Sequence, residues 1–111
     1  MTNIIGPRKV IIYRDRCGRE PFTIWLKSIK NPKSSKRIWM RLHKLEKGIY
    51  GDCKQVGEGV IEQRIFYGPG YRVYFAEDGN NIVVLLGGNK NSQQNDIERA
   101  RDYWKAYKGC R

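Results

Sequence analysis

The stretch that decides the fold is Val60-Ile61-Glu62-Gln63-Arg64-Ile65-Phe66-Tyr67, then Gly68-Pro69-Gly70, then Tyr71-Arg72-Val73-Tyr74-Phe75-Ala76. Two β-prone runs joined by a turn-forming tripeptide predict a hairpin. A third run, Asn81 to Leu86, follows the turn signal Asp78-Gly79-Asn80 and extends the hairpin to an antiparallel meander. Upstream, Lys9 to Tyr13 is a short strand closed by Asp15 to Gly18. Glu20-Pro21 then starts a helix with Phe22, Trp25, Leu26 and Ile29 at helical spacing. Asn31 caps and Pro32 begins a second helix, with Ile38, Leu42, Leu45 and Ile49 on one stripe and Gly48 or Gly51 as its stop. After Gly87-Gly88, Ser92 is the expected cap of a last helix carrying Ile97, Ala100, Trp104 and Tyr107. The expected architecture is a single α+β domain over residues 1–111, in the order β-αα-βββ-α. An N-terminal helical hairpin and a C-terminal helix should pack on a small antiparallel sheet.

Composition narrows the partners. The 111 residues carry 22 Lys+Arg against 11 Asp+Glu, a net charge of +11. Three Trp, seven Tyr and three Phe are too many aromatics for a disordered basic tail. A folded domain this basic is expected to meet a polyanion. Residues 1–60 hold 14 of the basic groups and only five acidic ones, so the helices supply most of the field. The longest apolar run, Ile82 to Leu86, is far too short to span a membrane, and Met1 to Val10 lacks the pattern of a secretory signal. Cys17, Cys53 and Cys110 form neither a disulfide framework nor a zinc pattern. These features predict a cytoplasmic protein that engages no membrane. There is no phosphate-binding Gly-rich loop, no His-Glu-x-x-His and no Cys-x-x-Cys. The one histidine, His43, falls on the charged face of the second helix, as a solvated side chain. Chemistry here is expected to need no metal and no cofactor.

Arg64 and Arg72 are the sharpest local signals, because an arginine inside an apolar strand must be paired or face a wet surface. Period-2 alternation puts Glu62 with Arg64 on one strand face, and Arg72 with Tyr74 on another. The turn decides whether these faces coincide. A tight two-residue turn would pair Tyr67 with Arg72 and send Arg64 to the opposite side. One bulged residue would pair Phe66 with Arg72 and gather Glu62, Arg64, Arg72 and Tyr74. The plainer reading is an ion pair of Glu62 with Arg64, or one across the strands, on a solvent-facing sheet. Lys90 follows the double glycine, whose lack of side chains would let a ligand approach closely. Gln93 and Asp96 fall on the first turn of the last helix. Together Arg64, Arg72 and Lys90 suit RNA: guanidinium forks grip phosphate oxygens and stabilise charge that develops as a 2′-hydroxyl attacks its neighbouring phosphate. Either Lys90 or Glu62 would accept the proton. Tyr71 or Tyr74 would stack on a splayed base. Lys36, Arg37, Lys44 and Gln93 are the further candidates for holding the strand.

The stretch Gly59 to Phe75, with its Tyr71-Arg72-Val73-Tyr74 core, resembles the phage-derived killer-protein family of toxin–antitoxin modules. So does the tail Leu85-Leu86-Gly87-Gly88-Asn89-Lys90-Asn91-Ser92-Gln93-Gln94-Asn95-Asp96-Ile97. That family is close to HigB-type toxins, within the RelE/ParE superfamily. The resemblance implies a RelE-like fold and an mRNA endoribonuclease that acts in the ribosomal A site without metal. It also implies a cognate antitoxin, commonly with a helix-turn-helix domain, through which alone the pair would meet operator DNA. Arg72 matches the superfamily's strand arginine, while Arg64 and Lys90 fall near its other basic positions. Glu62 departs from the pattern, since RelE-like enzymes carry lysines on that strand. The C-terminal active-site tyrosine has only Tyr103 and Tyr107 as stand-ins. Two other functions fit the same residues: a ParE-like inhibitor of DNA gyrase, and an RNA-binding module without catalysis.

Overall fold

A computed structural model of the chain describes residues 7–109; Cys110 and the first six residues, which entered the reading of the N-terminus, lie outside it. The elements are β1 (Lys9–Ile12), α1 (Pro21–Ser28), α2 (Pro32–Glu46), β2 (Cys53–Gln55), β3 (Ile61–Ile65), β4 (Tyr71–Asp78), β5 (Asn81–Asn89), a 3-10 turn (Lys90–Ser92) and α3 (Gln93–Gly109). The protein is α+β, with one five-stranded sheet in the order β1-β5-β4-β3-β2.

The helix starts follow their local chemistry. Pro21 and Pro32 occupy first-turn positions, and the Asn31 side chain accepts from the Lys33 N–H at 2.9 Å. The α2 stripe is buried at Ile38, Leu42 and Leu45, but Ile49 lies beyond the helix and is exposed. The cap of the last helical segment is Asn89 rather than Ser92. Its side chain accepts from the Asn91 and Ser92 N–H groups, and the Ser92 hydroxyl returns to the Asn89 N–H as the reciprocal half of a capping box.

Two corrections concern the sheet. It is mixed rather than antiparallel, because β1 pairs with β5 in parallel, Lys9 opposite Asn81 through Ile12 opposite Val84. A strand absent from the expected order, β2, pairs antiparallel with β3 along one edge. Cys53-Lys54-Gln55 is too short and too polar to carry a period.

The helices cover both faces of the sheet. On one face, Phe22 and Leu26 of α1 and Ile38, Leu42 and Leu45 of α2 pack against Tyr71, Val73, Phe75, Ile82 and Val84. On the other, Ile97, Ala100 and Trp104 of α3 pack against Tyr74, Ala76, Val83, Leu85 and Leu86. This explains the unbroken apolar run in β5, since a strand covered on both sides needs no polar alternation. The two N-terminal helices meet where Phe22 and Trp39 make an edge-on ring contact at 6.2 Å. A bulge pairs Tyr74 with Leu86 and Phe75 with Val84, leaving Leu85 as the extra residue. Both glycines that follow belong to the strand. A Cβ on Gly87 would lie 2.1 Å from the Trp25 ring, and one on Gly88 would lie 1.9 Å from the Asp96 carboxylate. The close approach they permit is thus made by α1 and α3 of this chain.

Candidate functional site

The β3–β4 register places Arg64 directly opposite Arg72 and Glu62 opposite Tyr74. The connecting loop, Phe66 to Gly70, is longer than either turn considered from the sequence. Its parity is that of the bulged turn, so the four side chains share the sheet face that α3 covers. The ion pairs of the plainer reading are present, Glu62 with Arg64 and, across the strands, with Arg72, but the face is covered rather than open to solvent, because Glu62 is 0% exposed.

Glu62 is the centre of the cluster. Its Oε1 lies 3.4 Å from Arg64 Nε, and its Oε2 lies 3.6 Å from Arg72 Nε. The same Oε2 accepts the Tyr74 hydroxyl at 3.2 Å and the Gln93 side-chain amide at 2.8 Å. Gln93 reaches it from the first turn of α3, so that helix locks the carboxylate onto the sheet. Burial and the charge of Glu62 push the Tyr74 phenol far above its ordinary range, so it stays a donor. Nearby, burial raises the Asp96 carboxyl, and the Ser92 hydroxyl and Arg99 oppose that rise. The Arg72 side chain is 12% exposed and its Nε has no hydrogen-bond partner. Arg64 is 34% exposed, and among the described residues its side chain makes no polar contact other than Glu62.

Arg64 also borders a second environment. A groove of about 390 Å³ between α2 and the end of the hairpin is lined by Arg37, Arg41, Lys44, Arg64, Phe66 and Tyr67. A neighbouring groove of about 420 Å³ shares Arg37, Met40 and Tyr67 with it and adds Lys33 and Lys36. The Arg37 guanidinium lies 4.7 Å above the Tyr67 ring, in cation–π geometry. The helix positions Lys36, Arg37, Lys44 and Arg41 recur with helical spacing, so one face of α2 presents a cationic strip to this surface.

Other anticipated residues fall elsewhere. Tyr74 and Tyr71 are buried in the two cores, so neither can stack on a base. Glu62, equally buried and surrounded by donors, cannot touch a 2′-hydroxyl; it holds the two arginines instead. Lys90 is exposed at the start of the 3-10 turn and, among the described residues, makes no hydrogen bond or ion pair with Glu62, Arg64 or Arg72. Gln93 is committed to Glu62. His43 is exposed and lies 3.2 Å from Glu46. Tyr107 donates to Asp78 at 2.8 Å and stacks on Trp104, while Tyr103 stacks on Tyr13 at 5.2 Å. Arg41 and Phe66 join the site beyond the candidates named from the sequence. Arg41 stood at helical spacing from Arg37 and Lys44, and Phe66 stood next to the turn; both signals were present.

Fold and site together define an α+β domain with a buried carboxylate beneath two facing arginines, one of which borders a basic groove. No family model and no solved structure matches the chain. An uncharacterized protein of Haemophilus influenzae is 41% identical over 81 residues, covering 72% of this chain and 82% of the relative. The chain belongs to the family of that protein. Among the described residues, no helix is long and apolar enough to cross a membrane.

Proposed function

We propose that this protein is the toxin of a type II toxin–antitoxin module, an endoribonuclease of the RelE/HigB kind that cuts ribosome-bound mRNA in the cytoplasm. The observation that carries the reading is the facing pair Arg64 and Arg72, held by one buried carboxylate, with Arg64 at the edge of a cationic groove. The resemblance of residues 59–97 to killer proteins supplies the reaction class.

In this reading RNA brings its own nucleophile. The ribose 2′-oxygen attacks the adjacent phosphorus and the 5′-oxygen leaves, giving a 2′,3′-cyclic phosphate and a 5′-hydroxyl. Arg64 contacts the phosphate and offsets the charge that builds on its oxygens. Glu62 fixes the guanidinium before substrate arrives, and Tyr74 and Gln93 fix Glu62, so little reorganisation is needed in the transition state. Arg72 adds positive potential from behind. Lys90, exposed and without a polar partner among the described residues, is assigned the 2′-proton in its neutral amine form, and water supplies the proton that the leaving 5′-oxygen takes up. The partners are mRNA on the ribosome and an antitoxin whose acidic or apolar segments cover the basic surface; operator DNA would be met only through that antitoxin.

Primer extension on mRNA programmed into active ribosomes tests this. Added protein should produce new 5′ ends within the A-site codon, and Arg64→Ala should abolish them while the protein still co-sediments with ribosomes. Intact mRNA alongside arrested gyrase supercoiling would replace the nuclease reading with a gyrase-inhibitor one. Retained RNA binding without cleavage would leave a binding module.

A further inference from the structure

Phe66 is 80% exposed, the most open of the large apolar side chains among the described residues. It is not a loose end. The loop behind it is closed by Tyr67 N–H donating to the Ile65 carbonyl at 2.9 Å and Gly70 N–H donating to the Tyr67 carbonyl at 3.1 Å. Gly68 and Gly70 adopt positive φ of 58° and 84°, which lets the chain turn sharply there. The backbone therefore holds the ring outward.

Its surroundings are cationic. Arg37, Arg41, Lys44 and Arg64 line the groove beside it, against a single carboxylate, Asp52. Arg41 contributes a Nε that is buried and has no partner, and its guanidinium lies over Gly51, where any Cβ would come within 1.9 Å. An aromatic face beside a groove of cations is the arrangement that holds single-stranded nucleic acid. The bases stack on the ring, and the groove follows the phosphates. A duplex offers no free base face to such a ring.

We propose that Phe66 is the base-stacking platform of this protein. It would seat one unpaired RNA base, while Arg37, Arg41 and Lys44 hold the flanking phosphates. This rests on the ribonuclease reading and names the residue that would take over the role the buried Tyr71 and Tyr74 cannot play. Stacking on an aromatic face tolerates every base, so Phe66 would set the register of the strand against Arg64 rather than select a sequence.

The test is fluorescence anisotropy with a short labelled single-stranded RNA, an abasic strand of the same length, and the matching duplex. Phe66→Ala should weaken binding of the single strand about tenfold, the order expected for one lost stack. The slope of affinity against salt should stay as in the wild type, because no phosphate contact is lost. Phe66→Trp should restore the affinity. The abasic strand and the duplex should bind wild type and Phe66→Ala alike. Equal single-strand affinity for Phe66→Ala and wild type overturns the proposal, as does an equal loss on the abasic strand. A wild-type protein that binds no RNA at all also overturns the platform, whereas the ribonuclease reading falls only if mRNA on programmed ribosomes stays intact. Thermal unfolding of Phe66→Ala should match wild type, since the ring is almost fully in water.

Discussion

Arg64 and Arg72 are direct cross-strand partners on β3 and β4, and one buried carboxylate, Glu62, lies within 3.6 Å of the Nε of each. Like charges opposite one another weaken a sheet. Here Glu62 offsets that repulsion and keeps two cations close together where α3 would otherwise only exclude water. The arrangement stores a concentrated positive charge without unfolding the strand pair.

Removing that anion should therefore be costly. Glu62→Gln keeps shape but leaves the nearly buried Arg72 uncompensated. Loss of one member of a buried pair predicts destabilisation of about 3 kcal/mol, with a Tm fall on the order of 10 °C. Thermal denaturation followed by circular dichroism checks this. An unchanged Tm would show that the arginines are solvated well enough to need no counter-ion.

Two glycines should respond differently to the same methyl group. Gly87→Ala drives a Cβ into the Trp25 ring, and neither β5 nor α1 can retreat without opening the core. Overpacking of this kind predicts a loss of about 3 kcal/mol. Gly70→Ala meets no atom within 4 Å, and its φ of +84° leaves only backbone strain, about 1–2 kcal/mol. Urea unfolding of the two variants should rank them in that order.

Alkaline pH should expose a second cluster. Burial, then the Glu77 carboxylate, pushes the Tyr50 phenol from 10.0 up to about 12, and Arg8, which hydrogen-bonds the hydroxyl, opposes that rise. A raised folded-state pKa means that the folded chain keeps a proton the unfolded chain gives up. The stability linked to Tyr50 is thus complete below about pH 10 and disappears as pH climbs towards 12. Tyr50→Phe should flatten part of the fall in stability across that window. Tyr74 and Cys53 shift in the same direction and keep the rest of the slope. Identical pH profiles for the variant and wild type would refute this assignment.

The groove should announce itself through salt. Arg37→Gln and Lys44→Gln each remove one cation from the surface proposed to hold phosphates. For single-stranded RNA each should lower the slope of log affinity against log salt by about 0.7, with the loss spread evenly over sequences. Titrations at several salt concentrations measure it. Slopes equal to wild type would place the RNA on another face of the molecule.

Much of the architecture was legible in the chain. Asn31-Pro32 and Glu20-Pro21 set the two helix starts through backbone chemistry that acts locally, and the β4 and β5 runs are legible as strands from their composition and flanking turns. The co-facial placement of Glu62 with Arg64, and of Arg72 with Tyr74, followed from side-chain alternation alone. Cys53 to Gln55 escaped because three largely polar residues carry no period. The parallel pairing of β1 escaped because strand sequence does not name its neighbour. The turn is longer than the sequence predicts, because Phe66 and Tyr67 are β-prone yet lie in the loop.

By itself, then, the sequence determined the class of fold, the helix boundaries near proline and the strong positive charge, because each depends on neighbours in the chain or on composition. Only the tertiary structure decided that Arg64 faces Arg72, that Glu62 is buried beneath α3, and that Tyr71 and Tyr74 turn inward while Phe66 turns out. Those outcomes depend on loop length and on which layers cover which sheet face. Both are settled by packing between segments far apart in the chain, where a shift of one residue reverses the side on which every side chain falls.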